Sequence, residues 1–185
     1  AAGQKQIFYI VGDDQRSALR SPHMDYFKAK DIEVLLLTEP IDSFMLMGLH
    51  QYKEFELKNV SQVEESPEEE NKEEQSAEEK IPGSDFESLI AQFKEVLGER
   101  VQDVRSSTRL SQSVARLVDP EGGINPEMQR VYKYLGREYE ETKKILELNP
   151  AHPILKSLIA LDAQSPLYKN IIEQIFDSVL LVEGL

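Results

Sequence analysis

Short apolar runs alternate with helical segments over the first sixty residues. Three of these runs share a β-rich composition: Ile7–Val11, Ile32–Leu37 and Phe55–Val60. The middle run is apolar almost throughout, as a buried parallel strand is. One helix is predicted to open at Ser21-Pro22, with Ser as the N-cap, and another at Pro40. This strand–helix–strand order predicts a small parallel sheet flanked by helices, an α/β/α layer.

From residue 84 onward, helical periodicity dominates and the strands are short. Apolar residues at spacings of three and four predict a helix from Ser84 to Gly98, with Ser84 and Glu87 as a capping box. Strands are predicted at Val101–Val104, Val114–Val118 and Ile145–Leu148. Further helices are predicted at Pro126–Tyr139, Ala151–Leu161 and Pro166–Val182. The pattern indicates an α+β domain with a short sheet and a C-terminal helical bundle.

A strongly acidic segment separates the two patterns. Between Val63 and Lys80 there are nine glutamates against Lys72 and Lys80, and large apolar side chains are almost absent. Such a segment buries too little to order itself, which is typical of a linker or a solvated helix. The predicted division is therefore an α/β layer over 1–62, an acidic linker over 63–82 and an α+β domain over 83–185.

Charge and composition narrow the classes of partner. The net charge of −13 argues against nucleic acid, because phosphate backbones are bound by Lys and Arg. No apolar run approaches the length that spans a bilayer, and no signal peptide is visible, so we expect no membrane partner. The absence of Cys excludes a thiolate metal site and fits a cytoplasmic location.

Candidate catalytic residues are few. Asp13 and Asp14 follow a predicted strand, where paired carboxylates hold Mg²⁺ in phosphotransfer enzymes, but they also suit a turn that begins a helix. No phosphate loop accompanies them. The histidines are dispersed, at His23, His50 and His152, so no metal site is predicted. We expect no catalytic residue, with a free-standing Mg-dependent α/β phosphotransfer enzyme and an inert scaffold as the alternatives.

Two stripes of apolar residues need other apolar groups to cover them, either in the core or on a partner protein. One follows a Gly-Gly turn at helical spacing and consists of Ile124, Met128, Val131, Tyr132 and Leu135. It is either core or a surface that faces a partner. The other lies on the last helix, with Ile171, Ile175 and Val182 on one face and Ile172, Phe176 and Val179 nearer another. Because these wrap more than one sector, the helix needs cover on two sides, which a second subunit would supply.

Several motifs, in order, resemble one family. They are Gly3–Ile10, Ser21-Pro22-His23-Met24, Glu33–Leu37, Phe93–Val101, Ser107-Thr108-Arg109-Leu110, Leu146–Leu155 and Ile172–Asp177. Together they are similar to the end of the middle domain and the C-terminal dimerisation domain of the ninety-kilodalton heat-shock chaperones, of the bacterial type. The similarity extends over nearly the whole chain except the acidic segment.

The resemblance implies a fragment of an ATP-driven homodimeric chaperone. ATP and Mg²⁺ would bind in an N-terminal domain that has no counterpart here, so we expect no cofactor in this chain. Ile124, Met128, Val131 and Tyr132 align with an amphipathic helix that contacts partly unfolded clients in bacterial members. The last helix would pair subunits, although the family's final helix matches no position after Leu185, so we expect the dimer bundle to be incomplete.

Overall fold

In the computed structural model of the chain, residues 6–63, 80–120, 126–137 and 142–184 are described. They form two sheets, each covered by helices and each with its own apolar core. The mixed α/β composition expected from the sequence is confirmed. The acidic segment 64–79, Ile124 and Tyr139 lie outside the described residues, and the division at 63–82 stays a prediction.

The first sheet has the strand order β2-β1-β4-β3. Its strands are β1 (Gln6–Val11), β2 (Val34–Leu37), β3 (Gln51–Tyr52) and β4 (Phe55–Asn59). Strand β1 pairs in parallel with β2 and β4, as predicted, and Tyr9 lies opposite both Leu35 and Asn59. Strand β3 pairs antiparallel with β4 through a turn at Lys53 (φ 56°) and makes the sheet mixed. The sequence pattern missed β3 because two residues carry no alternation.

The first unit, residues 6–63, contains three α-helices: α1 (Gln15–Arg20), α2 (Asp25–Ala29) and α3 (Pro40–Gly48). Helix α1 begins after Asp14, as expected if Asp13 and Asp14 form a turn that begins a helix. Oδ1 of Asp14 accepts from the backbone N–H groups of Arg16 (2.7 Å) and Ser17 (3.1 Å). Ser21 caps a 3₁₀ turn that leads into α2, in agreement with the predicted N-cap. Phe27 is fully buried at the centre of the core.

The second sheet has the order β5-β7-β6, with β5 (Asp103–Ser106), β6 (Ala115–Val118) and β7 (Ile145–Leu148). Strand β7 lies in the middle, parallel to β5 and antiparallel to β6. Glu147 on β7 lies opposite Arg105 and Arg116, and its carboxylate accepts from Arg105 Nε (2.9 Å) and Arg116 Nε (2.6 Å). One buried carboxylate therefore joins all three strands.

The second unit consists of the described residues from 80 to 184. It contains four described α-helices: α4 (Gly83–Leu97), α5 (Pro126–Tyr134), α6 (Pro153–Ile159) and α7 (Pro166–Glu183). Helices α4 and α7 bury their apolar sides in one core with the sheet, around Phe93, Leu146 and Ile172. Helix α5 ends earlier than Tyr139, because Gly136 adopts φ 62° and the N–H of Arg137 returns to the carbonyl of Tyr132 (3.0 Å).

The capping box predicted at Ser84 is wrong. Helix α4 begins at Gly83, and Pro82 occupies the N-cap position without a side-chain cap. The carbonyl of Pro82 accepts from the N–H groups of Asp85 (3.1 Å) and Phe86 (3.0 Å), so the helix starts one residue before Ser84 can cap it. The predicted end at Gly98 is confirmed, since Gly98 has φ 53°.

Candidate functional site

Helix α5 carries most of the predicted client stripe, and it packs against α3 of the first unit. Val131 is buried, Met128 and Tyr132 are half-buried, and Leu135, just past the helix end, is 56% exposed. Ile124 lies outside the described residues. The stripe is thus divided between a buried position and a surface that reaches solvent.

The neighbouring helix α3 presents apolar side chains to solvent on several sides. Phe44, Met45 and Met47 are each about two-fifths exposed, and Ile41 is 68% exposed, while Leu46 is buried. The sequence indicated this helix but not its exposed apolar surface. The available signal was four consecutive large apolar residues at 44–47, which no single face of a helix can bury.

A buried carboxylate joins α5 to the first sheet. Oε1 of Glu127 accepts from the hydroxyl of Tyr9 on β1 (2.6 Å) and from Nδ2 of Asn59 on β4 (2.8 Å). Glu127 is only 2% exposed. Burial, and then the hydrogen bond to Glu127, raise the pKa of Tyr9 above its usual range, so Tyr9 stays a donor. Arg130, one turn further along, pairs with Asp13.

A second polar contact joins the two units near the start of α2. The buried Asp25 carboxylate accepts from the backbone N–H groups of Ser111 (3.3 Å), Gln112 (2.9 Å) and Ser113 (2.7 Å). Arg109 stacks its guanidinium 4.3 Å from the ring centroid of Tyr26 and donates to the carbonyl of Val63. Ser107–Leu110 was one of the motifs that resembled the family, but the sequence did not predict the contact of residues 111–113 with Asp25.

A cleft of about 600 Å³ opens where β1, α5 and the end of α7 meet. Gly12 and Asp13 lie on one side, Arg130 and Lys133 on another, and Glu183 on a third. The two carboxylates considered for Mg²⁺ are both engaged: Asp13 pairs with Arg130, and Asp14 caps α1. Within the described ranges, no three His, Cys, Asp or Glu residues are grouped to hold a metal.

The residues predicted to pair subunits have two different environments on α7. Ile172, Ile175, Phe176 and Val179 are buried in the chain's own core, and Ile171 packs at its edge. Val182 is 46% exposed, beside Leu181, which is 77% exposed. Near the end of the helix, the buried His23 approaches Glu183 with Nε2 3.2 Å from the carboxylate. Of the described helices, none is long and apolar enough to cross a membrane.

Comparison with known proteins identifies the family. The model of the Hsp90 protein family matches residues 1–185. Relatives named Chaperone protein HtpG include those of Geobacter sulfurreducens, 37% identical over 98% of this chain, and Chlorobium phaeovibrioides, 35% identical over 98%. Each match covers 29% of the relative's own length, so the chain spans less than a third of these proteins. The HtpG of Mycolicibacterium gilvum is 41% identical over 84% of the chain and 24% of its own length. The resemblance inferred from the motifs is confirmed, and the chain belongs to the Hsp90 family.

Proposed function

We propose that this chain is part of a molecular chaperone and that it binds partly unfolded client proteins on the surface formed by α3 and α5. The chaperone names of its relatives support the general function. The described residues support the place, because apolar side chains reach solvent on both helices. ATP and Mg²⁺ would act elsewhere in the longer protein, and we propose no catalytic role for these residues.

The exposed face of α3 has the chemistry that a client site needs. An unfolded protein offers apolar side chains in no fixed arrangement, so its receptor must adapt its shape. Met45 and Met47 have unbranched, polarizable side chains that do this, and Phe44 supplies a large flat contact. Apolar groups held in water have a favourable free energy of transfer to any apolar partner.

The observation that carries the proposal is the packing of α5 on α3. The exposed Tyr134 at the end of α5, and Leu135 just past it, thus belong to the segment that adjoins the helix of Phe44, Met45 and Met47. Neither helix alone presents a wide surface, so the proposal joins the exposed residues of both helices in one site. Contiguous exposed apolar surface marks protein interaction sites.

The test is a binding titration with a reduced and carboxymethylated small protein as the unfolded client, followed by fluorescence anisotropy. Phe44→Ser and Met47→Ser, combined in the chain of residues 1–185, should raise the client Kd roughly tenfold or more, because a few large apolar residues dominate such interfaces. The melting temperature should fall less than for the same changes at fully buried sites, since both residues are about two-fifths exposed.

Ile154→Ser is the matched control, because Ile154 is 47% exposed on α6, away from both helices. It should leave the Kd unchanged. Equal weakening by the control and by the α3 variant would reject the proposed place. A chain that binds no unfolded client at all would reject client binding by these residues.

We also propose that α7 contributes to homodimer formation, and that its exposed end is the part that meets the partner. Leu181 and Val182 are the observation in favour, because they leave apolar surface in solvent beside a helix whose other side is already covered. Sedimentation equilibrium of Leu181→Ser with Val182→Ser should show weaker self-association than the unchanged chain. Equal association of both would exclude this end of α7.

A further inference from the structure

Helix α5 belongs to the second unit by its position in the chain, between β6 and β7, yet its principal contacts are with the first unit. It packs on α3, and Glu127 and Arg130 both bind residues on or next to β1, whereas Lys133 donates to the carbonyl of Gly184 past α7 at 3.4 Å. Glu127 bonds to Tyr9 and Asn59, and Arg130 pairs with Asp13. The position of α5 is therefore set by the α/β layer.

Glu127 is buried at a position where helix formation alone does not require it. A glutamate in the first turn of a helix is already stabilised by the helix dipole when it lies in water. Removing the charge from water is costly unless donors replace the lost hydration. Tyr9 and Asn59 supply two short hydrogen bonds, at 2.6 and 2.8 Å, and bonds of this kind to a carboxylate are strong and directional.

Anchoring Glu127 also fixes the rotation of α5 about its axis. Residues four apart lie on the same side of a helix, so Val131 follows Glu127 inward, and it is buried. Met128, Tyr132 and Leu135 lie about 100° round the helix, at spacings of four and three, and all three are half-buried or exposed. A different rotation would change which of these side chains reach solvent.

We propose that Glu127 is a positioning residue for the client surface, which holds α5 at the rotation that aligns Met128, Tyr132 and Leu135 with the exposed side of α3. Glu127 itself does not contact the client, because this residue of α5 is buried. This inference rests on the proposed client binding. It goes further by assigning the surface's geometry to a bond between the two units.

The experiment combines client binding with hydrogen exchange of the α5 amides in the chain of residues 1–185. Glu127→Ala removes the acceptor and should raise the client Kd roughly tenfold, with α5 amides exchanging roughly ten- to a hundredfold faster. Glu127→Gln keeps one acceptor oxygen and should have a smaller effect on both measurements. Glu95→Ala, an exposed glutamate on α4, is the matched control and should change neither.

Tyr9→Phe keeps the ring and removes only the hydroxyl donor, so it tests the same bond if Glu127→Ala fails to fold. Its effect on the client Kd should disappear when Glu127 is already Ala, because that substitution removes the acceptor of the Tyr9 hydroxyl. Independent, additive effects would overturn the proposal.

Two further outcomes separate this inference from the proposed function. If α5 amides exchange faster but the Kd stays constant, while Phe44→Ser still weakens binding, then Glu127 does not position the client surface and the surface itself stands. If the unchanged chain binds no client, both proposals fall. Weaker binding in Glu127→Ala with unchanged exchange in α5 would also reject positioning as the cause.

Discussion

The two units of the chain use their apolar residues differently. The second unit gathers them in one continuous core, where Phe93, Leu146 and Ile172 are fully buried. The first unit has a small core around Phe27 and leaves Ile41, Phe44 and both methionines that flank Leu46 in contact with solvent. The second unit therefore has the larger buried core, while the first exposes four large apolar residues on one helix.

The largest expected effect comes from comparing a Phe→Ala substitution in each of the two units. Phe93→Ala, at a fully buried site, should lower the free energy of unfolding by about 3–5 kcal/mol. Phe55→Ala, on the exposed hairpin of the first unit, should cost less, because this residue is already 39% exposed. Urea unfolding followed by far-UV circular dichroism measures both. Equal costs would contradict the division between a packed unit and an open one.

The next effect concerns the contact that joins the units. Asp25→Ala removes the acceptor of three backbone N–H groups. Because hydrogen bonds to a charged group are lost, the free energy of unfolding should fall by roughly 1.5–3 kcal/mol. Asp177→Ala, at an exposed position on α7, is the control and should be nearly neutral. Thermal unfolding followed by circular dichroism compares the two. If Asp25→Ala were as mild as the control, the units would not depend on this contact.

The smallest expected effect is a pH dependence of stability that comes from Glu147 in the second sheet. Burial alone would raise the pKa of Glu147, but Arg116 and Arg105 outweigh it and hold the pKa below its ordinary value of 4.5. A carboxyl with a depressed folded-state pKa stabilises the fold above the ordinary pKa, and that contribution is lost as the pH falls through 4.5 toward the lower folded value.

The measurement compares unfolding free energies of the unchanged chain and Glu147→Gln between neutral and acidic pH. Other carboxyls titrate equally in both, so the difference between the two proteins isolates Glu147. That difference should shrink below pH 4.5. A constant difference across the whole range would show that ion pairing with Arg116 and Arg105 does not lower this pKa.

The sequence predicted well those helices and strands whose apolar residues recur at regular spacing. The strand Ile145–Leu148 and the helix from Pro166 were located within a residue of their observed bounds, because their apolar residues recur regularly. Strand β3 is only two residues long and was missed, while the short helix α1 was given only a possible start after Asp14 and no bounds.

The sequence could not indicate which side of α5 faces inward. The predicted stripe grouped Val131 with Met128 and Tyr132, because all are apolar at helical spacing. The actual rotation depends on Glu127, whose donors Tyr9 and Asn59 lie 118 and 68 positions away in the chain. The Asp25 carboxylate likewise accepts from N–H groups that lie more than eighty positions away in the chain. No local pattern encodes such distant pairs.

The central position of β7 has a consequence for the order in which the chain is made. Strands β5 and β6 are hydrogen-bonded to β7 and not to each other, so both wait for residues 145–148 to leave the ribosome. The first sheet is complete by residue 59. During synthesis the first sheet can therefore form well ahead of the second, while two unpaired strand edges persist across more than twenty-five further residues of translation, a state in which strands are prone to wrong pairing.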